Sequence, residues 1–272
     1  MATTGLALPE DRFFHTETPE QVWKRYCGFL ELSLGEFMDI QRYLLLEQIK
    51  LVAETPLGKK LMNGSKPASV EEFRRTVPIT SYDDYAPQIG NMQEEPLAEK
   101  PLFWCHTAGR GGNFKWVPYS RGGFDRIARY AVAVGILAGA ERKGEVRFSP
   151  GARVLVNLAP RPYASGSLLY NMGQYFSYHP IPPLPEAEEL DFRKRTQLAF
   201  RLALRQRVDY IFSVSSALVK IGESFAEQRG KLRLSPGMLH PMVFSRLALG
   251  WLRSRIARRK MLPRDLWSLK GL

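Results

Sequence analysis

Cysteine is scarce in this chain. Only Cys27 and Cys105 occur among 272 residues, too few for a disulfide framework and without the paired spacing of a zinc site. Histidine is nearly as rare, with His15, His106, His179 and His240 scattered along the sequence. Long apolar runs are missing too. The longest stretch of small apolar residues, Ala131 to Ala140, has ten residues and includes two glycines, whereas a helix needs about 20 to cross a bilayer. No basic segment followed by an apolar core opens the chain, so no secretory signal is legible. Internal repeats and low-complexity tracts are also absent. These absences fit a reducing, cytoplasmic setting.

What is present is an ordinary globular composition, 44% hydrophobic and 11% aromatic, long enough for one large core or two modest domains. The net charge is +12 and unevenly spread: residues 1–99 hold 10 Lys/Arg against 16 Asp/Glu, the remainder 29 against 11. A basic second part implies an internal interface or a surface awaiting an anionic partner. Charge alone does not select nucleic acid as that partner.

The first hundred residues read as mainly helical, after a loose arm over 1–17. Thr18 with Gln21, Ser33 with Glu36, Ser69 with Glu72 and Ser81 with Asp84 have capping-box spacing. Phe37, Ile40, Leu44, Leu45, Ile49 and Val52 recur at helical spacing and read as a core stripe. From residue 100 onward, strands alternate with helices. Pro101–Trp104 reads as a strand. A helix from Arg121 to about Ala140 is capped by Ser120. Val154–Ala159 reads as a strand buried on both faces, Asp191–Arg207 as a basic helix and Asp209–Val214 as another buried strand. A helix capped by Ser215 or Ser216 then runs to Ala226. The run Pro180–Pro185 reads as a stiff surface connection. The last helix, 244–260, interleaves Arg246, Arg253, Arg255, Arg258, Arg259 and Lys260 with Leu247, Leu249, Trp251, Leu252 and Ile256. It suits a surface helix whose cationic stems cover apolar neighbours or a weak contact with an anionic membrane or RNA. Leu266–Leu272 looks like the start of a further strand. Alternation of this kind predicts an α/β fold with parallel pairs, organised as a helical 1–99 subdomain and an α/β core over 100–272.

Chemistry concentrates in one segment, Cys105-His106-Thr107-Ala108-Gly109-Arg110-Gly111-Gly112-Asn113-Phe114-Lys115-Trp116-Val117-Pro118-Tyr119-Ser120. It is a glycine-rich loop between two strands, closed by a lysine. Glycines let backbone N–H groups converge on an anion, and a lysine adds a point charge. The Walker pattern fails because Trp116 follows Lys115. The dinucleotide fingerprint fails because its third glycine is missing and a strand follows. His106 beside Cys105 suggests a nucleophile pair, but no partner carboxylate accompanies it, and a structural role at the loop edge is expected.

The segment resembles the phosphate loop of adenylate-forming enzymes, with Thr107, Gly109, Gly112, Lys115 and Pro118 on the pattern. Ala108, Arg110 and Gly111 stand where that superfamily carries hydroxyl residues. Arg110 either holds a phosphate bidentately or closes the loop by its bulk. Upstream, Phe73-Arg74-Arg75-Thr76-Val77-Pro78-Ile79-Thr80-Ser81-Tyr82-Asp83-Asp84-Tyr85 is similar to the entry motif of one branch, the auxin-responsive acyl-acid amido synthetases, cousins of the phenylacetate-CoA ligases. Pro160–Gly166, Asp209–Ser216 and Leu262–Leu272 resemble that branch too. The resemblance implies an ATP-dependent ligase that activates a carboxylic acid as its acyl-AMP for transfer to an amine, such as an amino acid, or to a thiol. It implies Mg²⁺ with ATP, a phosphate cradle of Thr107, Gly109, Arg110, Gly111, Gly112 and Lys115, and an acyl pocket near Tyr163, Ser165 and Gly166. The adenine, ribose and lid motifs of the superfamily do not occur in the sequence and in family order would follow Leu272. The expected identity is therefore the N-terminal part of such a ligase. A non-catalytic remnant or scaffold of the same fold is one alternative, and a basic protein that associates with membrane or RNA through its last helix is the other.

Overall fold

The computed structural model describes residues 8–109, 114–216, 218–219, 241–259 and 269–270. Arg110, Gly111 and Gly112, most of the 215–226 helix, Lys260 and most of the 266–272 strand lie outside the described residues. Two compact units emerge. One comprises Met1–Trp23, Ala131–Pro160 and Leu168–Leu272; the other comprises Lys24–Tyr130 and Arg161–Ser167.

Helices fill the first part: α1 (Asp11–Thr16), α2 (Pro19–Cys27), α3 (Leu34–Ala53), α4 (Pro56–Leu61), α5 (Val70–Thr76) and α6 (Tyr82–Ile89). Their starts follow local side-chain chemistry. Thr18 and Gln21 bond reciprocally at 2.8 and 3.3 Å. The Ser33 hydroxyl accepts from the Glu36 amide while the Glu36 carboxylate accepts from the Ser33 amide. Ser69 caps α5, and the Asp84 carboxylate accepts from the Ser81 amide at 2.6 Å. Two expectations fail here. Residues 11–16 are helical, and buried Asp11 accepts from the Ser177 amide and hydroxyl, a contact 166 residues away that no local pattern reveals. The apolar stripe of α3 is not core along its length. Ile49 is buried, but Phe37, Ile40 and Leu44 are exposed; among the described elements, α4 and α5 pack most against this helix.

The second unit named above also contains a two-stranded antiparallel hairpin, β1 (Pro101–His106) with β2 (Trp116–Ser120), in register His106↔Trp116. Helix α7 (Arg121–Gly139) follows, its start capped by the Ser120 hydroxyl, which accepts from the Gly123 amide. Phe103 stacks on Tyr119 and meets Phe124 edge-on, and Phe124 is fully buried.

The other unit is built on a parallel three-stranded sheet ordered β4–β3–β5, from β3 (Ala152–Asn157), β4 (Tyr178–Ile181) and β5 (Tyr210–Ser213). Helices α8 (Ala164–Met172, whose residues from Leu168 on belong to this unit), α9 (Leu184–Glu188) and α10 (Phe192–Arg205) punctuate the strands, and α11 (Pro241–Ile256) follows them. Central β3 is apolar on both faces. Leu155 joins Ile181, Ile211, Ala199 and Ala203 on one side; Val154 and Val156 join Tyr210, Phe148 and Leu169 on the other. This is the mixed α/β fold expected from the sequence. The Pro180–Pro185 run is not a surface connection. Its first residues form edge strand β4, where a missing N–H can face away from the ladder, and Ile181 and Pro182 are buried. On β5, Tyr210 and Ile211 are buried but Phe212 is half exposed. Helix α11 packs against α10; its Val243, Gly250 and Ser254 are buried, while Phe244, Trp251 and Ile256 are exposed. The Arg255 guanidinium lies 5.6 Å from the Trp251 ring. No described helix is long and apolar enough to cross a membrane.

Both cysteines are fully buried, and desolvation pushes each thiol up to about 11. A thiolate is the reactive form, so the native protein should resist a maleimide near neutral pH and take up two equivalents once unfolded in urea. Rapid labelling of either native thiol would contradict this packing.

Candidate functional site

The hairpin turns through the glycine-rich loop. Beyond the His106↔Trp116 pair, the Thr107 amide donates to the Lys115 carbonyl at 3.0 Å. That bond ties the loop's ends together and adds one rung to the ladder. Thr107 and Ala108 are exposed at the mouth. Gly109 has φ +36°, in the left-handed region that costs a Cβ-bearing residue most.

Lys115 is exposed, and no carboxylate among the described residues pairs with it. Its ammonium lies 5.3 Å from the centroid of the Tyr82 ring, which supports the cation without neutralising it. Tyr82 comes from the upstream motif. Its hydroxyl accepts from the Trp116 amide at 2.9 Å and faces the Trp116 carbonyl at 3.4 Å. The ring is held by its place at the start of α6. The Asp84 carboxyl, held below the usual carboxylate range chiefly by the Ser81 amide, fixes that start, and the Lys60 ammonium donates to the Asp84 carbonyl at 2.9 Å.

Buried His106 forms the floor. Its amide donates to the Pro162 carbonyl at 2.9 Å, and a parallel bridge joins it to Tyr163. Its ring nitrogen Nδ1 lies 3.0 Å from the Thr107 carbonyl. Phe114, Tyr163 and Trp116 surround the imidazole at 4.3, 4.5 and 5.0 Å between ring centroids. An aromatic cage of this kind explains His106 as a packing residue, as its sequence context suggested. Cys105, fully buried with its thiol toward the Val117 carbonyl, is not arranged as a nucleophile.

Thr107, Gly109, Lys115 and Tyr163 are therefore brought together. Half-buried Ser165 and Gly166 occupy the first turn of α8, just after Tyr163. Arg110, Gly111 and Gly112 are outside the described residues. Sequence reasoning did not select Tyr82 or Phe114. Tyr82 was visible within the upstream motif, but nothing local linked it to a loop 33 residues later. Among the described residues, no group of three or more His, Cys, Asp or Glu is placed to hold a metal ion.

The fold is mixed α/β with a parallel sheet. This is the fold of the N-terminal part of an adenylate-forming, acyl-acid-activating ligase. A solved structure of the AtGH3.15 acyl acid amido synthetase, in complex with 2,4-DB, matches with a TM-score of 0.56 at 16% identity, over 85% of this chain and 44% of that one. The chain thus spans less than half the length of that synthetase. A search of curated proteins found no match. The sequence model of the GH3 family N-terminal domain matches residues 27–231, most of the chain. The chain belongs to the GH3 family, the auxin-responsive acyl-acid amido synthetase group resembled by its motifs.

Replacing Tyr82 with Phe keeps the ring under Lys115 but leaves the Trp116 amide without its acceptor. An unsatisfied, partly buried amide costs about 1–2 kcal/mol, so urea unfolding of Tyr82→Phe should show a loss of that size. An unchanged midpoint would mean that the tyrosine hydroxyl does not secure the hairpin.

Proposed function

We propose that the chain carries the nucleotide-phosphate and acyl-acid portion of an ATP-dependent ligase that joins a carboxylic acid to an amino acid. The observation that supports this most is the pairing of a left-handed Gly109 at the loop mouth with an exposed, unneutralised Lys115 at its exit. In this reading Thr107, Gly109 and the loop residues Arg110, Gly111 and Gly112 present donors to the terminal phosphates, and Lys115 adds its charge. Bound ATP supplies the electrophilic phosphate that activates the acid. Mg²⁺ keeps most of its waters and is held largely through phosphates, so it needs no dedicated protein cage here. Tyr163, Ser165 and Gly166 form one wall for the acid. An amine acceptor fits the family; a thiol is the other nucleophile of this chemistry.

Departures from the hydroxyl-rich pattern at Ala108, Arg110 and Gly111 favour one alternative, a scaffold that keeps the fold and has lost nucleotide turnover. Calorimetry separates the two. With Mg²⁺ present, ATP should bind the wild-type chain, and Lys115→Ala should weaken binding about tenfold or more, the loss expected for one charge-assisted contact. Absence of ATP binding, or equal binding by Lys115→Ala, would overturn the phosphate-cradle assignment.

A further inference from the structure

A cleft of about 550 Å³ opens beside edge strand β4, lined by Arg153, Tyr170, His179 and Gln206 with apolar walls around them. Its size falls within the usual range for small-molecule sites. It is separate from the hairpin loop, and every residue that lines it belongs to the unit built on the parallel sheet.

Three polar side chains reach it without a partner among the described residues. Arg153 and His179 are register partners across the parallel β3–β4 pair, so their side chains leave the sheet on one face. Both are exposed. Asp209, bonded to the Arg153 backbone, is buried and already engaged. It accepts from the Arg207 guanidinium at 2.6 Å and from the Arg153 backbone amide at 3.0 Å. The side chains of Arg153, His179 and Gln206 make no hydrogen bond or ion pair among the described residues. Among the described residues, no acidic one lines the cleft. The Arg246 guanidinium of α11 donates to the Gln206 carbonyl at 2.5 Å, bringing further positive charge to that wall.

The walls select among anions. Pro180, Pro183 and Pro185 line the cleft and have no N–H to offer. A phosphate ester, which usually recruits several backbone amides, therefore finds few donors. A carboxylate needs only two parallel ones, which the Arg153 fork supplies, with His179 and Gln206 beside it. The proline rings and Tyr170 suit an apolar body. The geometry points to a binding site for a small organic monocarboxylate, its head on Arg153 and its apolar part against the proline-rich wall of β4.

The test uses the isotope-labelled chain and cyclohexanecarboxylate, followed by amide chemical shifts. Shifts should centre on Gly151, Arg153, Gly173 and His179. Arg153→Ala should weaken the titration about tenfold, and Lys115→Ala should leave it unchanged. Arg153 is exposed, so its loss should not unfold the protein; Gln206→Ala, with a smaller loss, gives a second reading of the same wall. The neutral cyclohexylmethanol should not produce these shifts, and cyclohexyl phosphate should bind more weakly than the carboxylate. The proposal is overturned by no shifts at millimolar ligand, by shifts confined to the Tyr163–Gly166 turn, by equal binding to Arg153→Ala, by equal binding of the alcohol, or by tighter binding of the phosphate. Because Lys115→Ala spares this site, loss of the nucleotide assignment and loss of this one are separately visible.

Discussion

Between Thr107 and Lys115 the chain closes a loop whose ends are joined by one backbone hydrogen bond of 3.0 Å. The candidate site hangs on that closure. Without it, the β1–β2 ladder ends at His106 and Trp116, and the glycine-rich segment has no fixed mouth from which to present its amides. Tyr82 secures the same rung from outside by accepting the Trp116 N–H, and the His106 cage secures it from below. Each support is modest, of the order of 1 kcal/mol for a net hydrogen bond. Together they hold a cation and a left-handed glycine at one opening, with no carboxylate among the described residues paired to that charge.

The parallel sheet poses a different constraint. Central β3 is covered on both faces, so its apolar run is nearly continuous, and the few polar groups tied to it are specific. Asn157, fully buried at the end of β3, accepts from the Thr196 hydroxyl at 3.0 Å. Asp209 joins the entry of β5 to that of β3 by accepting from the Arg153 amide. The Lys270 amide in turn donates to the Asp209 carbonyl at 2.7 Å. The Asp209 bond ties β3 to β5, while the β3–β4 ladder on the other edge places Arg153 beside His179.

Legibility in the sequence followed the range of the interactions. Helix starts at Thr18, Ser33, Ser69, Ser81, Ser120 and Asp191 rest on contacts three or four residues apart, and the residue types alone announce them. The buried β3 strand was readable because its apolar run has no other comfortable place. The loop and its lysine were readable for the same local reason. What escaped was long-range. Asp11 is helical and buried because Ser177 satisfies it. Pro180 and Ile181 are strand because β3 offers them an edge. Tyr82 belongs to the site because tertiary packing brings α6 to the hairpin. The exposed stripe of α3 errs the other way: apolar periodicity states what a face suits, and coverage depends on what the fold brings to it.

Amide hydrogen exchange with and without Mg·ATP tests the central claim most directly, since it reads the loop closure itself. The account predicts slowed exchange over residues 107–115 when nucleotide is added, with the Trp116 amide already protected in its absence by Tyr82. Unprotected exchange at Trp116, or nucleotide-dependent slowing that avoids the 107–115 loop, would contradict it.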